Sequence, residues 1–167
     1  SPGGSALASE VILRELELLK QKKHLVVSMG DYAASGGYYI SCAADKIVAQ
    51  PNTVTGSIGV LGILFNAQKL LNNKLGITID TLKTNSMADF MSFTRPVTAA
   101  EKSIMQEGIE HVYDVFISRV AAGRKMSKAE VDSIGQGRVW IGRDAEGHGP
   151  LCSQCHAGSL ALIAVAN

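Results

Sequence analysis

Ser35 stands in the run Ala33-Ala34-Ser35-Gly36-Gly37, between an apolar strand pattern and a helical one. A serine hydroxyl on a tight turn attacks a carbonyl carbon once a base removes its proton. Two more glycine-rich turns, Pro2-Gly3-Gly4 and Gly56-Ser57-Ile58-Gly59, are of the kind that closes a strand. In a parallel α/β sheet the strand C-termini gather along one edge, where sites form. Glycine there lets backbone N–H groups approach a ligand atom closely. Two converging N–H groups make an oxyanion hole, worth about 3 kcal/mol per donor in acyl transfer. Ser35 also opens a predicted helix, whose dipole favours negative charge beside it. The run is not the Gly-x-Ser-x-Gly elbow of α/β-hydrolases, because Ala33 occupies the first glycine position.

The base is less evident. The four histidines are His24, His111, His148 and His156. His24 ends a helix and His111 lies on a helix face, which reads as surface or interface for both. A lysine is the alternative to histidine. It must be neutral, so it needs a desolvated site that lowers its pKa. Lys83 is one such candidate, with an exposed strand-end lysine as its simpler reading. Two other functions use the same turns. A crotonase-type acyl-CoA enzyme shares the two-amide hole but needs carboxylates near the thioester, and Asp31 is the only acid close to the turns. A non-catalytic scaffold half is the third reading.

The elements that must position these groups follow from periodicity. From Ser5, a predicted N-cap, Leu7, Val11, Leu13, Leu16, Leu18 and Leu19 recur at helical spacing. Gln21-Lys22-Lys23 closes that helix with positive charge. Leu25-Val26-Val27-Ser28-Met29 and Lys46-Ile47-Val48-Ala49 read as strands, with a helix over residues 38–44 between them. A helix near residues 67–73 and a strand over residues 77–82 continue the β–α alternation, which implies parallel pairing with crossover helices. Residues 84–95 read as a loop. Thr98 with Glu101, and Ser127 with Glu130, are capping boxes opening two helices. Met105, Ile109, Val112, Phe116 and Val120 mark one face of the first of these, which ends near Gly123.

The bulk numbers set limits. The 167 residues amount to about one domain, 46% hydrophobic and 19% charged, enough to bury a core. A net charge of +1 makes no case for nucleic acid or an anionic membrane. No run reaches the roughly 18 apolar residues of a membrane helix. Three cysteines, Cys42, Cys152 and Cys155, are too few for a disulfide framework. The opening Ser1-Pro2-Gly3-Gly4, with no Met and no strand before the turn, predicts a cut inside a larger protein.

The chain resembles the signal peptide peptidase A (protease IV) family. The resemblance lies in Ser1-Pro2-Gly3-Gly4-Ser5, in the block from Met29-Gly30-Asp31-Tyr32 through Ser35 to Tyr38-Tyr39-Ile40-Ser41, and in Ala43-Ala44-Asp45-Lys46-Ile47. Thr55-Gly56-Ser57-Ile58-Gly59, Gly137-Arg138-Val139-Trp140 and Gly142-Arg143-Asp144-Ala145 extend it. It implies a crotonase-like (Clp protease-like) α/β fold of repeated ββα units with a mainly parallel sheet, here truncated at its N-terminus. It implies a Ser–Lys endopeptidase that degrades remnant signal peptides, assembles into a homo-oligomer and needs no cofactor. Ser35 matches the nucleophile, Gly4 and Gly36 the oxyanion hole, and Ser57 the hydroxyl that helps hold the lysine. The expected location is the outer face of a bacterial inner membrane, or a thylakoid, with membrane contact only through segments not in this chain. In short members the base lysine falls, by spacing, on Ala88. The segment 86–96 instead resembles the long, two-halved members, in which the lysine comes from the N-terminal half and the serine from the C-terminal half. The expectation is therefore a C-terminal half without its lysine: a peptidase domain fragment over residues 1–146 and an atypical tail over residues 147–167. Cys152-x-x-Cys155-His156 in that tail has the form of a haem attachment signature. A single copy without a distal ligand argues against haem, and three nearby ligands argue against zinc.

Overall fold

The computed structural model describes residues 1–147 and the strand backbones at 154–155 and 163–165. His148, Cys152, His156 and the side chain of Cys155 lie outside the described residues. So does most of the expected tail.

Helix α1 (Ala6–Lys20) starts where its cap dictates: the Ser5 hydroxyl accepts the Ala8 N–H at 3.3 Å. Ser9 and Leu13 are buried, and Leu16 packs on the core. Leu7, Val11 and Leu18, counted with them by spacing, form a second stripe that faces solvent. Lys20 in the last turn donates to the Ala43 carbonyl at 2.6 Å and pairs with Asp45 at 3.1 Å.

Strand β1 (Leu25–Met29) follows with alternating burial, then β2 (Tyr32–Ala34), α2 (Gly36–Ser41), β3 (Lys46–Ala49) and β4 (Val54–Gly56). The remaining elements are α3 (Gln68–Lys74), α4 (Ala99–Arg124), α5 (Lys128–Ile134), β5 (Val139–Ile141), α6 (Gly142–Gly147), β6 (Gln154–Cys155) and β7 (Ile163–Val165). The expected parallel pairings are present but divided between two small sheets. In the order β6-β3-β1-β7, β1 pairs parallel with β3 in register Val27↔Ile47, β6 joins parallel, and β7 joins antiparallel. In the order β2-β4-β5, β2 pairs parallel with β4, and β5 joins antiparallel. The α/β class therefore holds with mixed sheets.

Residues 77–82 do not form the expected strand. Ile77 and Ile79 are about half exposed and Leu82 is fully exposed. β propensity needs a neighbouring strand to take up the backbone N–H and C=O groups, and no described strand pairs there.

The described chain divides into two units: Ser1–Val60 with the chain from Val112 onward, and Leu61–His111. The first contains the core, in which Leu13, Leu25, Tyr38, Ile47, Ile58, Phe116, Val120 and Val131 are buried. The C-terminal stretch of α4 supplies Phe116 and Val120 from the face that the spacing marks. In the second unit, Arg95 donates to Asp89 at 2.7 and 2.8 Å and to Glu101 at 2.7 and 2.9 Å. Glu101 also accepts the Thr98 N–H at 2.8 Å, while its own N–H donates to the Thr98 hydroxyl at 3.2 Å. The predicted capping box is thus formed and tied to the loop before it. A second capping box, between Ser127 and Glu130, opens α5.

Candidate active site

Ser35 lies between β2 and α2 with φ 50° and ψ −120°, an uncommon backbone conformation for a residue with a side chain. Such a conformation costs about 1–3 kcal/mol and persists only where the surroundings impose it. Here the Ser35 N–H donates to the Gly56 carbonyl at 2.9 Å, and its own carbonyl accepts the Tyr39 N–H at 2.8 Å. The Ser35 hydroxyl makes no capping bond to α2. Strand, strained serine, helix is the layout of a nucleophile elbow, although the Gly-x-Ser-x-Gly pattern is absent. A glycine from another segment lies against Ser35.

That segment is residues 1–4. The Ser1 nitrogen donates to the Tyr32 carbonyl at 2.6 Å, and the Ala34 N–H donates to the Ser1 carbonyl at 3.1 Å. This is the bonding pattern of a parallel pair with Ser1 opposite Ala33. It lays Gly3 (φ +134°) against the serine: a Cβ on Gly3 would lie 2.9 Å from Ser35 Cβ and 3.2 Å from its Oγ. A Cβ on Gly36 would lie 3.3 Å from the Gly4 nitrogen and 2.7 Å from Ser9 Oγ. The Gly4 and Gly36 backbones therefore come close together next to Ser35. The sequence reading did not single out Gly3. The doubled glycine after Pro2 was the only signal for it, and the partner it accommodates lies 32 residues on.

Ser57 occupies the matching place on the next strand. The register Ala34↔Gly56 makes Ser35 and Ser57 the first residues beyond adjacent parallel strands, which run about 4.8 Å apart. Ser57 has φ 49°, close to the φ of Ser35, and its N–H donates to the Arg138 carbonyl at 2.8 Å. Both serines are partly exposed. Beneath them the buried Thr55 hydroxyl donates to the Ala33 carbonyl at 2.9 Å, binding the two strands together.

The other nucleophile and base candidates are placed as follows. His24 is 87% exposed, with Nδ1 3.7 Å from Asp45, and His111 is exposed on α4. Lys83, in the second unit, pairs with Asp89 at 3.1 Å. Ala88 is exposed, in a turn of that unit. Cys42 is buried, and burial pushes its thiol up to about 12. Among the described residues no group of three or more His, Cys, Asp or Glu side chains is arranged to hold a metal ion.

One charged cluster near the serine was not anticipated. The Tyr39 hydroxyl donates to the Glu10 carboxylate, and Arg119 of α4 donates to the same carboxylate. Burial on its own would raise the Glu10 pKa, but these two bonds outweigh it and hold the carboxyl below its usual range. Burial and the Glu10 bond both push the Tyr39 phenol up, so it stays a donor.

Residues 17–150 match peptidase family S49. The chain is 46% identical over 146 residues to Protease 4 of Haemophilus influenzae, which covers 87% of this chain and 23% of that protein. It is 45% identical over 150 residues to Protease 4 of Salmonella typhi, covering 89% and 24%. It is 40% identical over 150 residues to a chloroplastic serine protease SPPA of Arabidopsis thaliana, covering 89% and 22%. The chain thus spans about a quarter of the length of these relatives.

Proposed function

The chain belongs to peptidase family S49, and we propose that it supplies the nucleophile side of a Ser–Lys peptidase site. The observation that carries this reading is the seat of Ser35: a strained strand-to-helix serine resting on Gly3, with the Gly4 and Gly36 backbones meeting beside it. Ser35 Oγ attacks the peptide carbonyl and gives its proton to the base. The oxyanion that forms accepts from the Gly4 and Gly36 N–H groups. The base returns the proton to the departing amine, and water then releases the acyl group from Ser35. The base is a lysine outside these 167 residues, oriented by the Ser57 hydroxyl and kept neutral by desolvation. In support, Lys83 is engaged by Asp89 and Ala88 stands where a base would fall.

The fold that fits is crotonase-like: strand–strand–helix in chain order occurs as β1-β2-α2 and again as β3-β4-α3, with β1 parallel to β3 and β2 parallel to β4. Residues 1–146 form the peptidase fragment, and residues 147–167 are a tail foreign to it. The substrates are remnant signal peptides, cut by a homo-oligomer at a bacterial inner membrane or a thylakoid. The bacterial and chloroplast relatives support that range of locations. Among the described residues no helix is long and apolar enough to cross a membrane.

The test is a chimera in which this chain replaces the matching segment of the Haemophilus Protease 4. Cleavage of a signal-peptide-like substrate that disappears in Ser35→Ala supports the reading. Equal cleavage in Ser35→Ala overturns it. Turnover by the isolated chain would place the base within it, and Lys83 would be the first residue to replace.

A further inference from the structure

The two hole amides lie on different segments, Gly4 just before α1 and Gly36 at the start of α2. Their spacing, and the seat of Ser35 on Gly3, therefore depend on how α1 docks against α2. We propose that Tyr39 and Glu10 are positioning residues, whose bond holds the Gly3–Gly4 segment in place beside Ser35. This rests on the peptidase reading above.

α2 has only six residues, too few to hold its own direction through internal hydrogen bonds. Its orientation comes from whatever grips it. Tyr39 is held at both ends: its N–H donates to the Ser35 carbonyl at 2.8 Å, and its hydroxyl donates to Glu10 on α1. The ring between is 5% exposed and packs on Phe116 of α4, with centroids 4.8 Å apart and planes tilted by 55°. Arg119, three residues beyond Phe116, donates to both oxygens of the Glu10 carboxylate, one of which also accepts the Tyr39 hydroxyl. Glu10 follows Ser9, whose hydroxyl occupies the space where a Gly36 Cβ would be. Ser9 Oγ in turn donates to the Ser5 carbonyl at 2.9 Å, one residue beyond Gly4. A continuous path thus runs from the Ser35 carbonyl through Tyr39, Glu10 and Ser9 to the hole segment. Bonds in which one partner is ionised are about twice as strong as neutral ones, which suits a link that must hold a distance. The Tyr39–Glu10 bond joins the second turn of α1 to the helix that follows Ser35, and the Arg119 pair ties the same carboxylate to α4.

The test reads local geometry without catalysis. In this chain, amide exchange is measured at Ser35 and Tyr39, both hydrogen-bonded, and at Val131 on α5, bonded to the Ser127 carbonyl at 3.1 Å. Amide chemical shifts are recorded for Gly4 and Gly36. In Tyr39→Phe, exchange at Ser35 and Tyr39 should accelerate about tenfold, the scale of one charge-assisted bond. The Gly4 and Gly36 shifts should move, while Val131 stays as in the wild type. Glu10→Gln, which keeps only a neutral bond to the Tyr39 hydroxyl, should fall between wild type and Tyr39→Phe, and Glu10→Ala should match Tyr39→Phe. Unchanged exchange and shifts in Tyr39→Phe, or acceleration shared equally by Val131, overturns the proposal. Absence of Ser35-dependent cleavage in the chimera overturns the peptidase reading by itself, so the two failures are distinguishable.

Discussion

Gly3→Ala tests the seat of the nucleophile most directly. Its Cβ would enter 2.9 Å from Ser35 Cβ and 3.2 Å from Oγ, on a backbone with φ +134°. Bringing the first contact to an ordinary 3.4 Å moves Ser35 or the residue 1–4 segment by about half an ångström. The φ penalty adds strain of about 1–3 kcal/mol. For a chain of 167 residues this lowers Tm by roughly 3–10 °C. A displacement of about 1 Å at a reacting group costs about 100-fold in rate, so kcat in the chimera should fall roughly tenfold or more. Gly4→Ala is the control. It places its methyl in open space at φ +156° and keeps the amide, so it should cost less of both quantities. Differential scanning calorimetry and steady-state cleavage of a signal-peptide-like substrate measure the two effects. Wild-type melting and turnover in Gly3→Ala, or a larger loss in Gly4→Ala, would refute the placement of Gly3 against Ser35.

Other consequences follow from the capping boxes. Ser127→Ala removes the hydroxyl that accepts the Glu130 N–H at 3.2 Å. It should cost about 1 kcal/mol and lower Tm by about 2–4 °C, with cleavage unaffected, as a thermal melt and an activity assay would show. The Glu101 carboxyl is held at about 2, chiefly by the Arg95 guanidinium and then by the Thr98 N–H, against an ordinary 4.5. A depressed folded pKa means stability that is complete above about pH 4.5 and lost as pH falls toward 2. Urea titrations between pH 7 and pH 2 should show this loss, and Glu101→Gln should flatten that part of the profile. An unchanged slope in Glu101→Gln would refute the assignment.

The features legible in the sequence are those whose causes lie within a few residues. Ser5, Thr98 and Ser127 start helices because a hydroxyl reaches an N–H three residues on, in whatever fold surrounds them. The apolar runs at β1 and β3 are strands because each is short, continuous and bounded by turn residues. Ser35 stood out because its small-residue turn and the residues around it are contiguous, and the structure places it with positive φ between β2 and α2. Residues 77–82 carry the same kind of local strand signal and form no strand, since a strand also needs a partner, and pairing is not local. The division into two sheets is non-local as well: β2 and β4 pair through residues 22 positions apart. Gly3 was marked only by the doubled glycine after Pro2, and the Tyr39–Glu10–Arg119 cluster by nothing, for the same reason. A close approach or a shared carboxylate leaves no periodicity in the chain. The sequence by itself determined where the hydroxyl-capped helices begin and which serine precedes α2. Tertiary structure decided which glycine lies against that serine and which side chains bind the helix after it, because both depend on distances between segments that only folding brings together.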